Sequence, residues 1–239
     1  MNIPLSLNPK CIDDLAKIGC ALEDAEPQEI LRWAVASYAP KLTMATAFGV
    51  EGCVLMAMFH ELGLHDKVDF FNLDTGYQFP ETLEVRARIQ EKYGIHVRLV
   101  QPAASVDAEE MLRSVPLYQT EPDKCCFQRK LVPLKGAVQG KDAWISSIRR
   151  DQTRDRRVAG MVEWDKKFEL VKVNPLSNWT KDQVWDYVHN HDVPYNALHD
   201  NGYPSIGCWP CTHAVKHGED DRAGRWSSFT KRECGLHTR

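Results

Sequence analysis

The feature that most constrains the fold of this chain is a regular alternation of β-prone apolar segments with helical patterns. The apolar segments lie at residues 42–48, 68–73, 96–100, 143–148 and 168–173. Helical patterns occupy residues 27–38, 52–62, 79–93 and 180–190, with Pro27 in a first turn and Thr180 as an N-cap. Strands that alternate with helices predict an α/β fold, with a parallel sheet covered by helices on both faces.

The carboxyl ends of the predicted strands carry residues suited to binding a ligand. In open parallel sheets, ligands bind beyond these ends. Here the ends are Phe48-Gly49, Asp74-Thr75-Gly76 and Ser147-Ile148-Arg149-Arg150. The sequence therefore predicts a binding rim, whose candidate residues are Phe48, Gly49, Asp74, Arg149 and Arg150.

The chain divides by composition into three segments of one globular unit. Residues 1–40 are expected to form an N-terminal helical appendage, and residues 41–195 the α/β core. Residues 196–239 are irregular and rich in Gly, Pro, His and Cys, which indicates a second functional module folded onto the core. No run approaches the roughly 20 apolar residues of a membrane span, and the N-terminus lacks the pattern of a secretory signal. We therefore expect a cytoplasmic protein that does not bind membranes.

The net charge of −3 conceals a strongly basic region. Residues 124–157 carry ten Lys and Arg against three Asp and Glu. Nucleic acid is one partner for such a region. Because the whole chain is acidic and the arginines are grouped around a motif, a small polyanionic substrate is the better prediction.

The eight cysteines fall into two groups. A cytosolic chain keeps its thiols reduced, so a disulfide framework is not expected. Cys11, Cys20 and Cys53 stand alone and are predicted to be small packing residues. The others are the adjacent pair Cys125-Cys126, the motif Cys208-Trp209-Pro210-Cys211, and Cys234.

Four cysteines in a CC and CxxC arrangement are typical of a metal centre. A [4Fe–4S] cluster and a structural zinc ion both take four cysteine ligands. Neighbouring helical residues diverge by about 100°, which suits the separate iron corners of a cluster better than one zinc ion. The pattern favours a [4Fe–4S] cluster, while zinc and free redox thiols remain alternatives. Lys130 follows Cys126 by four residues and would share its helix face.

Cys234 is the candidate nucleophile. It lies in Glu233-Cys234-Gly235-Leu236-His237 near the C-terminus, where we expect an exposed and mobile thiol. Lys231 and Arg232 precede it, and positive neighbours favour the reactive thiolate. A surface cysteine without a role is the alternative.

These motifs together resemble those of the assimilatory adenylyl-sulfate (APS) reductases, within the sulfonucleotide reductase family. The resemblance runs from about Thr43 to the end. It is carried by Cys125-Cys126-Phe127-Gln128-Arg129-Lys130, Cys208-Trp209-Pro210-Cys211, Ile148-Arg149-Arg150-Asp151-Gln152 and Glu233-Cys234-Gly235-Leu236-His237, and more weakly by Leu73-Asp74-Thr75-Gly76.

The resemblance implies an adenine-nucleotide α-hydrolase-like fold and a [4Fe–4S] cluster on Cys125, Cys126, Cys208 and Cys211. It implies reduction of APS to sulfite and AMP by thioredoxin, through an S-sulfonate on Cys234. The cluster would then have a structural and electrostatic role. By position, Lys130, Arg222, Arg225 and a protonated His237 would surround the phosphosulfate, and Leu73, Ser147 and Arg157 would lie near the nucleotide.

Two features depart from the APS reductase pattern. The loop at residues 46–52 is closer to that of 3′-phosphoadenylyl-sulfate (PAPS) reductases, so a PAPS-specific or dual APS/PAPS reductase is an alternative. Ser146-Ser147 replaces the more common Thr-Gly. A tRNA-thiolation enzyme is a distant alternative because the loop lacks its SGGxDS pattern, and a zinc-stabilised binding module is another. The sequence leaves homo-oligomerisation open.

Overall fold

The computed structural model describes residues 7–231 and 233–237, and this part of the chain contains one six-stranded sheet. The spatial order of its strands is β3-β2-β1-β4-β6-β5. All neighbouring pairs are parallel except β5 with β6, which is antiparallel. The strands are β1 (Leu42–Ala45), β2 (Asp69–Leu73), β3 (Arg98–Val100), β4 (Ala143–Ile145), β5 (Val162–Asp165) and β6 (Leu170–Val173).

Helices cover both faces of this sheet, and their bounds follow chain order. They are α1 (Ile12–Ala21), α2 (Pro27–Tyr38), α3 (Val50–Glu61), α4 (Pro80–Tyr93), α5 (Val106–Met111), α6 (Leu117–Thr120), α7 (Pro122–Cys126), α8 (Val132–Ala137) and α9 (Lys181–Asn190). A π-helical turn, Phe127–Leu131, joins α7 to α8. Short 3₁₀ turns lie at His65–Lys67, Arg154–Arg156, Ala197–Asn201 and Trp209–Cys211.

The central strands are continuous apolar runs because both of their faces are covered. Every residue of β4 and of β6 is buried. Such strands lack the alternation of a half-exposed sheet. The helix α3 is buried along most of its length, and Pro27 and Thr180 begin α2 and α9 as predicted.

The predicted α/β class, with a largely parallel sheet, is confirmed, but the elements differ in two respects. The strands are shorter than the apolar runs, since residues 46–48 and 146–148 turn away as loops at the rim. The antiparallel strand β5 was not predicted. Its sequence, Val-Glu-Trp-Asp, alternates apolar and polar residues at the sheet edge and lacks the apolar run used to find the others.

The N-terminal helices pack into the main core rather than standing apart from it. Leu15, Ile18 and Ile30 are buried in the same apolar cluster as α3 and the central strands. Arg150 reinforces this packing, because its guanidinium binds Glu23, which follows α1, and donates to the Ala159 carbonyl over 2.7 Å. The division at residues 40 and 195 stays a prediction. Across the described ranges, no helix is both long and apolar enough to cross a membrane.

Candidate active site

A cleft opens at the predicted rim, where β1, β2 and β4 end. We call it the rim cleft. It is lined by the strand ends, by π-turn residue Lys130, by the loop at Ile206-Gly207-Cys208 and by the tail residues Leu236 and His237. Leu73 and Ser147 both line it, and their predicted place near a nucleotide stays a prediction. Trp144, on β4, forms part of its floor.

The loop after β1 is held in shape by its own polar groups. The hydroxyl of Thr46 accepts a hydrogen bond from the Phe48 amide over 3.0 Å, and Asn72 donates to the Thr46 carbonyl over 2.8 Å. Phe48 has a positive φ of 54° and a buried ring. Gly49 then precedes α3. The loop therefore directs Thr46 and Ala47 into the cleft, while Phe48 and Gly49 do not line it.

The four clustered cysteines surround one pocket beside the rim cleft, which we call the cysteine pocket. Cys125 and Cys126 end α7, whereas Cys208 precedes the 3₁₀ turn opposite and Cys211 ends it. The Sγ of Cys208 lies 3.2 Å from the hydroxyl of Thr75. The two cysteine pairs, which are 82 residues apart at their nearest positions in the sequence, thus line one pocket, as predicted.

The thiols of this pocket are electrostatically coupled. Burial, followed by repulsion from the neighbouring thiolates, raises the pKa of Cys125 to about 12 and that of Cys211 to about 11. The pKa of Cys126 is also raised, first by burial. Burial therefore disfavours the thiolate forms of these cysteines, and a bound metal centre would offset that cost.

The donor set can be tested against the two kinds of metal centre. Among residues 7–231 and 233–237, no three His, Cys, Asp or Glu side chains converge as they would on one metal ion. A zinc ion needs that convergence. An iron–sulfur cluster bonds each thiolate to a different iron, so its ligands stand further apart. The four cysteine side chains around one pocket match the number of ligands that either kind of centre takes.

Lys130 lies between the cysteine pocket and the rim cleft and lines both. Burial lowers the pKa of its ammonium group, but the thiolates of Cys208, Cys234 and Cys126 outweigh this and raise the pKa above its ordinary value. Lys130 therefore stays charged. The neighbouring Arg129 is buried, bound to Glu109 at 2.7 Å and to the Thr75 carbonyl at 2.9 Å, and it fixes the π turn against the β2 loop.

Arg222 and Arg225 meet at Ser205, and Arg225 also lines the cysteine pocket with Lys130. Both donate to the hydroxyl of Ser205 over 3.3 Å. The Arg225 guanidinium stacks 4.5 Å from the centroid of the Trp226 ring and lies against Gly207, in space that a β-carbon at that position would occupy. Burial lowers the pKa of Arg222 from its high ordinary value, although Glu233 opposes that effect.

The C-terminal tail is docked onto the core, which corrects the expectation of an exposed end. Cys234 is only partly accessible, and Glu233 is buried. Lys167 donates to the Gly235 carbonyl over 2.6 Å, and Leu236 packs against the apolar cluster around Trp144. The sequence suggested a frayed end because it does not show these tertiary partners.

His237 closes the rim cleft from the tail side. Its ring stacks on that of Trp144, with centroids 5.7 Å apart and an angle of 7° between the planes. Burial, then repulsion by Lys172, Arg156 and Arg222, lowers its pKa well below the ordinary value. This lowered pKa opposes the protonated form of His237 in the docked state, and its charge beside a bound ligand stays a prediction.

The predicted arginines of the 149–157 region do not line the rim cleft. Arg149 is buried and paired with Glu51 and Asp151, and Arg150 is bound to Glu23. Arg157 is exposed. Asp74 is also outside the cleft, accepting hydrogen bonds from the Gly76 amide and the Gln101 side chain. Their contacts with a ligand remain predictions.

Three residues near the tail and the cleft escaped sequence reasoning. Arg156, one residue before the predicted Arg157, contacts Glu233 at 3.0 Å. Gln78 lines the cleft and donates to the Leu73 carbonyl over 3.0 Å. Trp144 lies in a strand of apolar residues. The signal for Arg156 was its place in the basic 149–157 stretch, but spacing alone could not separate it from Arg157.

Comparison with known proteins assigns this chain to a family. The model of the phosphoadenosine phosphosulfate reductase domain matches residues 41–214. An adenosine 5′-phosphosulfate reductase of Anoxybacillus flavithermus is 44% identical over 87% of this chain and 88% of its own length. One from Bacillus subtilis is 41% identical over 87% of this chain and 89% of its own. The chain therefore belongs to the phosphoadenosine phosphosulfate reductase domain family, as the motif resemblance predicted.

Solved structures agree with the fold. A phosphoadenylyl-sulfate (PAPS) reductase from Candida auris superposes with a TM-score of 0.74 and 29% identity, covering 90% of this chain and all of that one. An FMN adenylyltransferase of Candida glabrata has a TM-score of 0.54 at 13% identity, covers 91% of this chain and 70% of that one, and shares the fold alone.

The neutral state of His237 predicts a pH dependence of stability. The pKa of His237 is lower in the folded protein than in the unfolded chain. The neutral imidazole therefore contributes its full stabilisation above about pH 6.5. Below that pH, the free energy of unfolding falls by up to about 1.4 kcal/mol per pH unit. We expect the difference in unfolding free energy between wild type and His237→Asn to shrink from pH 7 to pH 5, as measured by urea denaturation.

The matched control is His217→Asn, which removes an exposed histidine. A difference for His237→Asn that stays constant from pH 7 to pH 5 would show that the imidazole is not shielded from protonation.

Proposed function

We propose that this protein reduces APS to sulfite and AMP, with electrons from thioredoxin or a related dithiol protein. The observation that carries the proposal is the docked tail, which places Cys234 close enough to Lys130 and Cys126 to shift their pKa values while Leu236 and His237 line the rim cleft. A partly accessible thiol, buried cations and a cleft thus lie in one region, which supports this chemistry. The names of the bacterial relatives support APS as the substrate.

The rim cleft is proposed to hold the adenylyl part of the substrate. Leu73 and Ser147 offer backbone and hydroxyl groups at the strand ends, and Trp144 offers an aromatic face. Gln78, which holds the Leu73 carbonyl, would fix the geometry of that strand end. This agrees with the general location of ligands at the carboxyl edge of parallel sheets.

The phosphosulfate is proposed to lie against Lys130, Arg222 and Arg225. The attack brings a thiolate onto an anion, so fixed positive charge is required to stabilise the transition state. The planar guanidinium groups of Arg222 and Arg225 suit phosphate and sulfate oxygens. The buried Nδ1 of His237 has no hydrogen-bond partner among the described residues, and it is proposed to hydrogen-bond the substrate as a neutral group.

In the first step, the Cys234 thiolate attacks the sulfur of the phosphosulfate. A bond forms between the two sulfur atoms, and the bond from that sulfur to the bridging oxygen breaks. AMP leaves with the electron pair, and an S-sulfonate remains on Cys234. Covalent catalysis of this kind divides one difficult reduction into two thiol exchanges.

In the second step, a thiolate of the partner attacks Sγ of Cys234. The bond to the sulfonate sulfur breaks, sulfite leaves with the electron pair, and a mixed disulfide forms. The partner's second thiol then releases Cys234 as a thiolate and leaves the partner oxidised. The sulfur gains two electrons overall, and the dithiol supplies both. The partner must reach Cys234, so the tail has to leave its docked position between the steps.

The four cysteines of the cysteine pocket are proposed to hold a [4Fe–4S] cluster. The bound group would supply positive iron for four crowded thiolates and would fix α7 against the 208–211 turn. Neither thiol exchange needs it as an electron carrier. Lys130 would then offset the net negative charge of the ligated cluster on the side that faces the substrate.

A PAPS-specific or dual-substrate reductase is the second candidate. Two observations favour it, the PAPS-like sequence of the loop at residues 46–52 and the structural likeness to the Candida auris PAPS reductase. Comparing the two nucleotides under the same conditions separates the candidates. Preference for PAPS would assign substrate choice to that loop.

We expect anaerobically purified protein with reduced thioredoxin to release sulfite faster from APS than from PAPS. Cys234→Ser should lose sulfite release by at least about a thousandfold, because it removes the nucleophile. Its affinity for APS, measured by calorimetry, should stay within a few-fold of wild type.

Cys20→Ser is the matched control, because Cys20 is an exposed thiol outside the site. This variant should release sulfite at the wild-type rate. Sulfite release by Cys234→Ser at the wild-type rate would exclude Cys234 as the nucleophile, and absence of sulfite from both nucleotides in wild type would exclude the reductase.

Gly207→Ala tests Arg225 without removing it. The new methyl group occupies the space of the Arg225 guanidinium, which is the movable end of a flexible side chain, so the fold should persist while the charge moves. We expect APS to bind about tenfold more weakly, which corresponds to one charged hydrogen bond. Gly136→Ala, at a helical glycine with open space around it, should leave binding unchanged. Equal affinity for all three proteins would exclude Arg225 from the substrate site.

Cys208→Ser is expected to abolish iron binding. Removing one of four ligands leaves an iron corner without its thiolate. Iron and sulfide analysis together with the visible absorption spectrum measures this. Cys53→Ala removes a buried cysteine of α3 outside the pocket and should retain full iron content. One zinc and no iron in wild type would refute the cluster.

A further inference from the structure

Glu233, the acidic residue directly before Cys234, is unexpected in a site proposed to bind an anion. Glu233 is buried, with its side chain only 5% exposed, and lies within the group of cations that includes Arg222. A carboxylate there repels the phosphosulfate and weakens its binding. Its presence therefore calls for a role other than substrate affinity.

The contacts of Glu233 indicate that role. Its Oε2 accepts from Arg156 over 3.0 Å and from Arg222 over 3.3 Å, and its Oε1 accepts from the Thr153 hydroxyl over 3.4 Å. Arg156 and Thr153 belong to the loop after β4, whereas Arg222 belongs to the segment after the cysteine motif. One carboxylate thus binds two separate parts of the site to the residue before Cys234.

A second anchor lies immediately after the nucleophile. The ammonium group of Lys167 donates to the Gly235 carbonyl over 2.6 Å. Cys234 is therefore fixed from both sides, by the side chain of the residue before it and the backbone of the residue after it. Because charge-assisted hydrogen bonds are strong and directional, this arrangement defines where Sγ stands.

We infer that Glu233 is a positioning residue that holds Cys234 in its attacking place by binding Arg156 and Arg222. This inference rests on the proposed S-sulfonate chemistry. It predicts opposite effects on two quantities. Losing the carboxylate releases positive charge to the substrate, so binding stays equal or tightens, whereas sulfonation slows because the thiol is no longer held.

The test is a single turnover without reductant, comparing wild type, Glu233→Gln and Glu233→Asp. Sulfonation of Cys234 is followed by mass spectrometry of the quenched protein, and APS affinity is measured separately. We expect Glu233→Gln to sulfonate about tenfold to a hundredfold more slowly, since a displacement of about 1 Å has effects of this size. Its APS affinity should equal or exceed that of wild type. Glu233→Asp, which keeps the charge on a shorter side chain, should lie between the two.

Asp221→Asn is the matched control. It removes the charge of an exposed acid paired with Lys181 next to Arg222, and it should sulfonate at the wild-type rate. Arg156→Gln removes the other partner of the contact between Arg156 and Glu233. If both residues act through one contact, the double variant Arg156→Gln/Glu233→Gln should be no slower than the slower single variant. Iron content and melting temperature establish that each variant is folded.

The outcomes separate this inference from the proposed function. Wild type that binds APS but forms no S-sulfonate would overturn both. A wild-type sulfonation rate in folded Glu233→Gln, or a parallel loss of rate and affinity, would overturn the positioning role alone. If the losses of sulfonation rate in the two single variants added up in the double variant, the positioning role alone would also be overturned.

Discussion

The positive charge of Lys130 lies where the cysteine pocket, Cys234 and the rim cleft meet, and the arrangement of the site follows from it. Thiolates and a polyanionic substrate repel one another, so they can share one region only with fixed cations between them. The thiolates keep Lys130 charged despite its burial. Arg225, which lines the cysteine pocket, and Arg222 add to this positive region, and both donate to the Ser205 hydroxyl.

The protein reaches this concentration of charge by folding distant segments onto one edge of a sheet. The strand ends supply uncharged groups, the π turn supplies Lys130, and the segments after residue 200 supply Arg222, Arg225 and the tail that carries Cys234. The buried Arg129 and its partner Glu109 show that charge also fastens these segments together. Cations that face the ligand and cations that support the scaffold thus stand side by side.

Sequence reasoning found the parts that local patterns encode. Apolar runs located five strands, and the spacing of the cysteines located the pocket. It missed β5, because an edge strand lacks a continuous apolar run, and it missed Trp144, because a cleft residue within a buried strand resembles core. It could not separate Arg156 from Arg157, since only the turn at Arg154–Arg156 decides which one faces Glu233. The lowered pKa of His237 was not foreseen, because burial by tertiary partners is not encoded locally.

The π turn between α7 and α8 has a consequence for how the cysteine pair is aimed. A π turn contains one residue more than a turn of α-helix. The helical segment after it is therefore rotated by about 100° from the position that an unbroken α-helix would give it. Leu134 in α8 is buried in the core, while Cys125 and Cys126 in α7 line the cysteine pocket. The π turn thus lets α7 and α8 take different rotations about the helix axis. The direction of the thiols depends on the spacing of the backbone hydrogen bonds in this turn, and not on the core that anchors α8.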